Sequence, residues 1–511
     1  MRRQILKNLF SNYIGTFAAM TLGFFLVPFL IRKLGKDGFG LTVLAESLIG
    51  FMQIFIYSVR VAMARYATVS ISQGKKDEFL EYLSTGYRIL SQFMILTLAA
   101  GLIVSYFFPS IFNVPILFYQ QTRWLFFFIM IAFVVSMPNI VYWAILYAQQ
   151  RFDLINISNF GGVIMRALMV FALFSFLPAR YVNLVTYGVV YLLMILAENY
   201  FVFLWARKIM PGLTLAKGVY HKGKAKEIIS YGGYSSFGAI STVIYENGMN
   251  IIINIFMGPA ANAVYAISMK VPSLIKRLFL EPTWSLTPTF VNLVATGDKS
   301  KLERFFIMYS KGIAMFLFPL SYLMIHFSKD FIHLWVGAEF EQAPLIMSIL
   351  VAAVALSMFT YFCSIIIGAY GMIRIPTLVG LGLAIANLGL GMLLGLVFKW
   401  GIEGIAVAAL LISIIGSMIF LPTYTCRIAG ISLWKFWREA LLKPFFLTAM
   451  LFGCAVVLKG HTLYLMISFI LAVILWGYWV CSYRFLFNDE EKNNIKDAFR
   501  DFFVKASVVV A

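Results

Sequence analysis

About fourteen runs of roughly twenty apolar residues, joined by short polar links, decide most of what this chain can become. A helix needs about 20 such residues to cross the hydrocarbon core of a bilayer. That ruler places spans at 9–31, 39–62, 89–108, 124–147, 155–177, 182–204, 230–257, 261–290, 306–327, 344–370, 377–398, 404–425, 445–459 and 462–483. The eighth carries Pro272, Pro282 and Pro288, which are expected to break it. In lipid each segment must satisfy its own backbone, so the expectation is an all-α polytopic membrane protein. Only 12% of the 511 residues are charged, about half the density of a soluble domain. A soluble enzyme, a secreted disulfide scaffold and a DNA-binding factor are thereby excluded.

The net charge of +19 is a topology signal and implies no nucleic-acid partner. With the N-terminus placed inside, 28 Lys and Arg fall on the cytoplasmic side, counting Lys311 near the start of the span 306–327, and eight on the other: Arg32, Lys33, Lys36, Arg123, Arg180, Lys329, Lys399 and Lys459. That asymmetry predicts cytoplasmic termini and a cytoplasmic loop at 205–229. The outer loops are short, with no room for a catalytic domain.

The chain also matches itself. At an offset of 223 residues Gly35 falls on Gly258, Gly74 on Gly297, Lys76 on Lys299 and Arg151 on Arg374. Six spans separate the copies, an even number, so both enter the membrane in the same sense as parallel repeats. The expected organisation is a six-helix bundle over 1–204, a basic linker loop at 205–229 and a second bundle over 230–425. An amphipathic interfacial helix at 426–444, two further helices over 445–483 and a cytoplasmic tail at 484–511 follow. Two bundles that rock about a cleft give alternating access to a ligand.

Charges inside hydrocarbon are costly and mark functional surfaces. The eighth span holds Lys270, Lys276, Arg277 and Glu281, with Lys270, Arg277 and Glu281 on one helical face. Arg60 and Arg166 are further buried cations. These five cations are the candidates for binding an anionic substrate. Glu246, Asn250 and Asn254 recur every four residues along the seventh span, as cavity lining or as helix–helix glue. Glu46 and Glu198 are the other intramembrane carboxylates, each able to neutralise a cation or carry a coupling proton. The four histidines and four cysteines have no metal-ligand spacing, and neither a Walker A pattern nor an outer-loop DxD is present. No metal or cofactor is expected, beyond coupling to H+ or Na+.

The stretches "NYIGTFAAMTLGFFLVPFLIRKLGKDGFGLTVLAESLIGF", "MARYATVSISQGKKDEF", "YAQQRFDLINISN" and "MNIIINIFMGPAANAVYAISMKV" resemble bacterial Wzx-type polysaccharide flippases. "GMIRIPTLVGLGLAIANLGLGMLLGLVFKWGIEGIAVAALL" does the same. These exporters belong to the multidrug/oligosaccharidyl-lipid/polysaccharide (MOP) superfamily. The resemblance implies two six-helix bundles plus two helices, and transfer of undecaprenyl-diphosphate-linked oligosaccharide to the outer leaflet of the bacterial inner membrane. It further implies work beside a polysaccharide polymerase and a chain-length regulator in O-antigen or exopolysaccharide synthesis. Where such proteins often carry a Gly-Leu pair at the end of the second span, this chain reads "SVRVAMARY", which adds Arg60. The alternatives are a multidrug (MATE-type) cation antiporter, a lipid II flippase of the same fold, or, from another class, a membrane glycosyltransferase or polymerase.

Overall fold

The computed structural model describes residues 2–211, 220–284 and 286–449, without the side chains of 2–14, 55, 234–237, 281, 282 and 284. Most of the expected span 445–459, the span 462–483, the tail and the middle of the 205–229 loop lie outside them. The described chain is helical: α1 Arg2–Ser72, α2 Lys76–Ile111, α3 Tyr119–Ser136, α4 Asn139–Ala148, α5 Phe152–Phe176, α6 Leu184–Ile209, α7 Lys222–Met257, α8 Pro259–Trp284 and α9 Thr287–Ala295. There follow α10 Lys299–His326, α11 Ser328–Trp335, α12 Ala343–Phe359, α13 Tyr361–Ala369, α14 Arg374–Met392, α15 Gly401–Ser413, α16 Leu421–Ala429 and α17 Leu433–Phe436. Nine helical stretches among the described residues are long and apolar enough to cross a membrane, which makes this a multi-pass membrane protein.

Several expected boundaries move. The first two spans form one continuous helical run, α1, kinked at Gly35 (φ 75°, ψ 172°). The spans expected at 124–147 and 344–370 are each two helices, divided at Met137–Pro138 and at Thr360. Pro272 and Pro282 do not break α8, which runs through both; proline inside a membrane helix is tolerated where surrounding groups take up the freed carbonyls. The same bookkeeping is visible at Pro28 within α1. Pro28 has no N–H to offer the carbonyl four residues earlier. The indole Nε1 of Trp335 donates to that carbonyl, of Phe24, at 3.1 Å, and the two rings stack at 4.4 Å.

The repeat is written in the backbone. Gly258 (φ 87°, ψ 174°) closes α7 in nearly the conformation of Gly35, one open almost only to glycine. Gly74 and Gly297 are both left-handed, at φ 74° and 70°, and the N–H groups of Lys76 and Lys299 reach back to their carbonyls at 3.1 and 2.9 Å. α2 and α10 then start at positions 223 residues apart, as α1 and α9 end and as α3 and α12 end.

Packing follows membrane rules. Along α2 the residues Thr97, Gly101, Ser105 and Phe108 are buried, whereas Ile95, Leu102, Ile103 and Tyr106 are exposed. Small residues thus face the protein, where Ser105 Oγ donates to the Arg123 carbonyl of α3 at 2.8 Å, and large apolar ones face outward.

Two compact units emerge. The first takes the chain up to Lys270, His333–Ala343 and Thr377–Ile405; the second takes Val271–Ile332, Pro344–Pro376 and the chain from Ala406. In the second, the expected interfacial stretch 426–444 docks through its apolar side: Phe436 is fully buried, stacked on Phe306 of α10 at 4.6 Å, while Lys435 pairs with Glu303 at 2.7 Å. In the first, α7 is tied to α2 near its start. Lys224 pairs with Glu81, His221 lies 3.4 Å from the same carboxylate, and Tyr82 donates to Glu227.

Candidate functional site

The first unit contains a polar cavity of about 320 Å³ within its helices. Helical spacing builds it. Gln53, Tyr57 and Arg60 share one face of α1, Asn139 and Trp143 one face of α4, and Ile195, Glu198, Asn199 and Val202 one face of α6. Ser136 of α3, Ser158 and Asn159 of α5, and Ala239 and Val243 of α7 complete the wall. Gly162 of α5 makes room for the carboxylate: a Cβ there would lie 2.5 Å from Glu198 Oε2. Asn139 Nδ2 donates to Asn199 Oδ1 at 2.8 Å, fixing two of the amides. Trp143 Nε1 and Asn199 Nδ2 are buried without a hydrogen-bond partner among the described residues, a cost that native structures seldom carry away from functional regions.

A second cavity of about 650 Å³ shares Tyr57, Arg60 and Trp143 with the first and is otherwise walled by Val61, Ala64, Arg65, Thr68, Val69, Tyr147 and Tyr231. Its two charges are both cationic. Arg60 lies over the Trp143 ring at 4.0 Å and Arg65 over Tyr231 at 4.4 Å. Stacking on an aromatic face leaves the edge donors of each guanidinium available to an acceptor. Arg60 sits at the junction, in the field of Glu198 from the first cavity.

The remaining cations named from the sequence do not join this pair. Arg166 lies over Tyr191 at 4.7 Å and in the field of Glu46, whose Oε1 accepts from the Tyr187 hydroxyl at 2.8 Å. That cluster is charge-compensated within the unit. Lys270, half-buried, stands beside Gly23 of α1, where a Cβ would lie 3.8 Å from its Nζ. Lys276 is half-buried and Arg277 exposed, and both belong to the second unit. The Glu281 side chain is outside the described residues.

The polar stripe on α7 divides. Asn250 Nδ2 donates to Ser47 Oγ of α1 at 3.1 Å, and Asn247 packs where a Cβ on Gly50 would come within 2.9 Å of its Nδ2. These two are helix–helix contacts. Asn254 is fully buried, with neither amide atom partnered among the described residues, and Glu246 is exposed. Sequence reading passed over Gln53, Tyr57, Asn139, Trp143, Asn199 and Arg65. The usable signal was spacing: Gln53, Tyr57 and Arg60 at helical intervals, and Glu198 adjacent to an asparagine in an otherwise apolar span.

The structure superposes on an inward-facing multidrug resistance MATE transporter of the MOP superfamily with TM-score 0.68 at 14% identity, covering 81% of this chain and 96% of that one. The lipid II flippase MurJ, in an inward closed conformation, matches with TM-score 0.68 at 16% identity over 92% of this chain and 98% of that one. At these identities the likeness shows the fold, that of the MOP superfamily. In sequence, the chain is 21% identical over 432 residues to the uncharacterized membrane protein EpsK of Bacillus subtilis (strain 168), 83% of each chain. Residues 29–344 match the family described as polysaccharide biosynthesis protein. The chain belongs to that family.

Proposed function

We propose that this protein carries undecaprenyl-diphosphate-linked oligosaccharide units across the bacterial cytoplasmic membrane by alternating access, as a step in surface polysaccharide synthesis. The family match over 29–344 supplies the biosynthetic context. The observation that carries the reading is the larger cavity, where Arg60 and Arg65 are the only charged residues of the wall among the described residues. A diphosphate loses its hydration on leaving the interface, and arginine donors restore hydrogen bonds to its oxygens. The charge asymmetry of the loops supports cytoplasmic termini and a cytoplasmic 205–229 loop, and on that orientation the substrate is loaded from that side. Lys270, Lys276 and Arg277 are further attractors for the head group, and a polysaccharide polymerase and chain-length regulator are the partners expected downstream.

A MATE-type antiporter is favoured by one observation, the Glu198 carboxylate in the smaller cavity. Arg60 and Arg166 both act on that carboxylate, which disfavours an organic cation there.

The test uses purified full-length protein in liposomes with a lipid-linked oligosaccharide in the inner leaflet. The oligosaccharide should appear in the outer leaflet, accessible to an added glycosidase and covalently unchanged before that addition. No transfer, or a lengthened or shortened glycan, overturns the reading.

A further inference from the structure

The two adjoining cavities differ in hydrogen-bonding character, and the difference divides the substrate between them. The geometry points to the smaller cavity as the binding site for a neutral sugar of the lipid-linked glycan, with the diphosphate held apart by the arginines of the larger one. This rests on the transport reading above and specifies which part of the head group sits where.

Phosphate oxygens only accept hydrogen bonds, so a phosphate site is lined by donors. The smaller cavity is lined otherwise. Gln53, Asn139, Asn159 and Asn199 present four carboxamides, each with two N–H donors and a carbonyl acceptor. A sugar hydroxyl likewise donates once and accepts twice, so a wall of amides can pair with a ring of hydroxyls in either sense, which it cannot do with a phosphate. Glu198 adds an acceptor that would repel an anion, and it lies in the field of Arg60 and Arg166, so the cation at the junction is already balanced on this side. The Trp143 ring, a cavity wall, supplies the flat apolar surface on which the C–H face of a pyranose packs. The ring also meets the Arg60 guanidinium at 4.0 Å and the Tyr147 ring at 5.0 Å, both lining the anionic compartment, and so marks the border with it. The volume, about 320 Å³, falls at the lower end of the roughly 300–1,000 Å³ range for small-molecule sites.

The experiment compares two radiolabelled probes on full-length protein in nanodiscs: undecaprenyl diphosphate bearing a neutral disaccharide, and undecaprenyl diphosphate alone. Wild type should bind the glycosylated probe more tightly. Asn139→Ala and Trp143→Leu should each weaken the glycosylated probe by about tenfold, the loss of roughly one hydrogen-bonded or packed contact, and leave the bare lipid within about twofold. Arg65→Ala should weaken both probes. Trp143→Phe, which keeps a ring and guards against loss of fold, should recover most of the glycosylated-probe affinity. Equal losses on both probes, or none on either, overturn the assignment. Tighter binding of a disaccharide carrying a uronic acid overturns its neutral character. If wild type binds both probes with the expected preference but moves neither between leaflets, the transport reading fails and the sugar site stands. If transport proceeds while the two probes bind alike, the sugar site fails alone.

Discussion

The two halves of the chain share turns and differ in chemistry. Gly35 and Gly258, Gly74 and Gly297, and the starts of α2 and α10 correspond at an offset of 223 residues. The polar wall does not. At that same offset Asn139 answers to Phe362, Trp143 to Ile366, Asn159 to Gly382, Glu198 to Leu421, Asn199 to Pro422 and Arg60 to Thr283; the compensated pair Glu46 and Arg166 answers to Met269 and Gly389. Duplication preserved what the backbone demands, a left-handed residue that only glycine supplies cheaply. Side-chain chemistry was free to diverge, and among the described residues most donors and acceptors of the two cavity walls stand in the first half, with the Tyr231 hydroxyl of α7 the exception. On the proposed transport reading, the mechanics are repeated and the grip lies mostly on one half.

The largest expected effect tests that one-sidedness. Arg60→Leu should cut transport by about one to two decades, since a charge-assisted hydrogen bond is worth about 1.5–3 kcal/mol. Thr283→Leu, at the matching position, should leave transport within a factor of about two. Initial rates of leaflet transfer, normalised to protein inserted in the membrane, give both numbers. Comparable losses at the two positions would mean that the halves contribute equally and that the asymmetry of the polar wall has no functional weight.

A second pair asks whether the shared turns cost the same. A Cβ on Gly35 meets nothing within 4 Å, so Gly35→Ala penalises only the backbone at φ 75°. The expected cost is about 1–3 kcal/mol, seen as a lower melting temperature of the purified protein. Gly258→Ala, at φ 87° with its nearest atom 3.8 Å away, should fall by a similar amount. A large drop at one and none at the other would break the correspondence of the repeats at its clearest point.

Those glycines were legible in the sequence because their reason is local. The apolar spans were legible for the same reason: hydrocarbon imposes a length that each segment must meet alone. The site was less legible. Its wall takes two to five residues from each of six helices, and helix rotation, which decides which of them face inward, is set by neighbours far away in sequence. Density of charge drew attention to α8, where Lys270, Lys276 and Arg277 lie close in the chain yet fall in different units. Arg60 was visible as a cation in an apolar span, whereas its partner Trp143 looked like any membrane aromatic. Lys311 misled in the opposite direction. It counts with the cytoplasmic charges at the start of the span 306–327, yet it is 3% exposed inside α10.

A smaller difference between the halves lies at Trp335, which corresponds to Phe112 in the first half. Trp335→Phe keeps a ring for stacking on Phe24 but removes the donor to the carbonyl that Pro28 leaves unserved. The expected loss is about 1 kcal/mol. Pairing it with Pro28→Ala, which restores an N–H to that carbonyl, should erase most of the loss in thermal stability; additive losses in the double variant would show that the indole and the proline are not linked.

The smallest effect concerns two helix starts that should be alike. α10 opens at Asp298, whose carboxylate accepts from the Lys301 N–H at 3.0 Å; α2 opens at the corresponding Lys75 with no side-chain cap. The Lys301 backbone N–H, then the Lys301 and Ser300 side chains, hold the Asp298 carboxyl down at about 2. A depressed folded-state value means that the cap's contribution is fully present above the ordinary carboxyl range and is lost only as pH falls toward 2. Stability through this residue should therefore be flat across neutral pH. Asp298→Ala should lower the melting temperature slightly and Asp298→Asn much less, because asparagine caps nearly as well. Lys75→Asp should raise it slightly by giving α2 the cap that α10 already has. A fall on Lys75→Asp would mean that the 3.5 Å contact of Lys75 with Glu78 outweighs the new cap, and that the two starts are alike in backbone only.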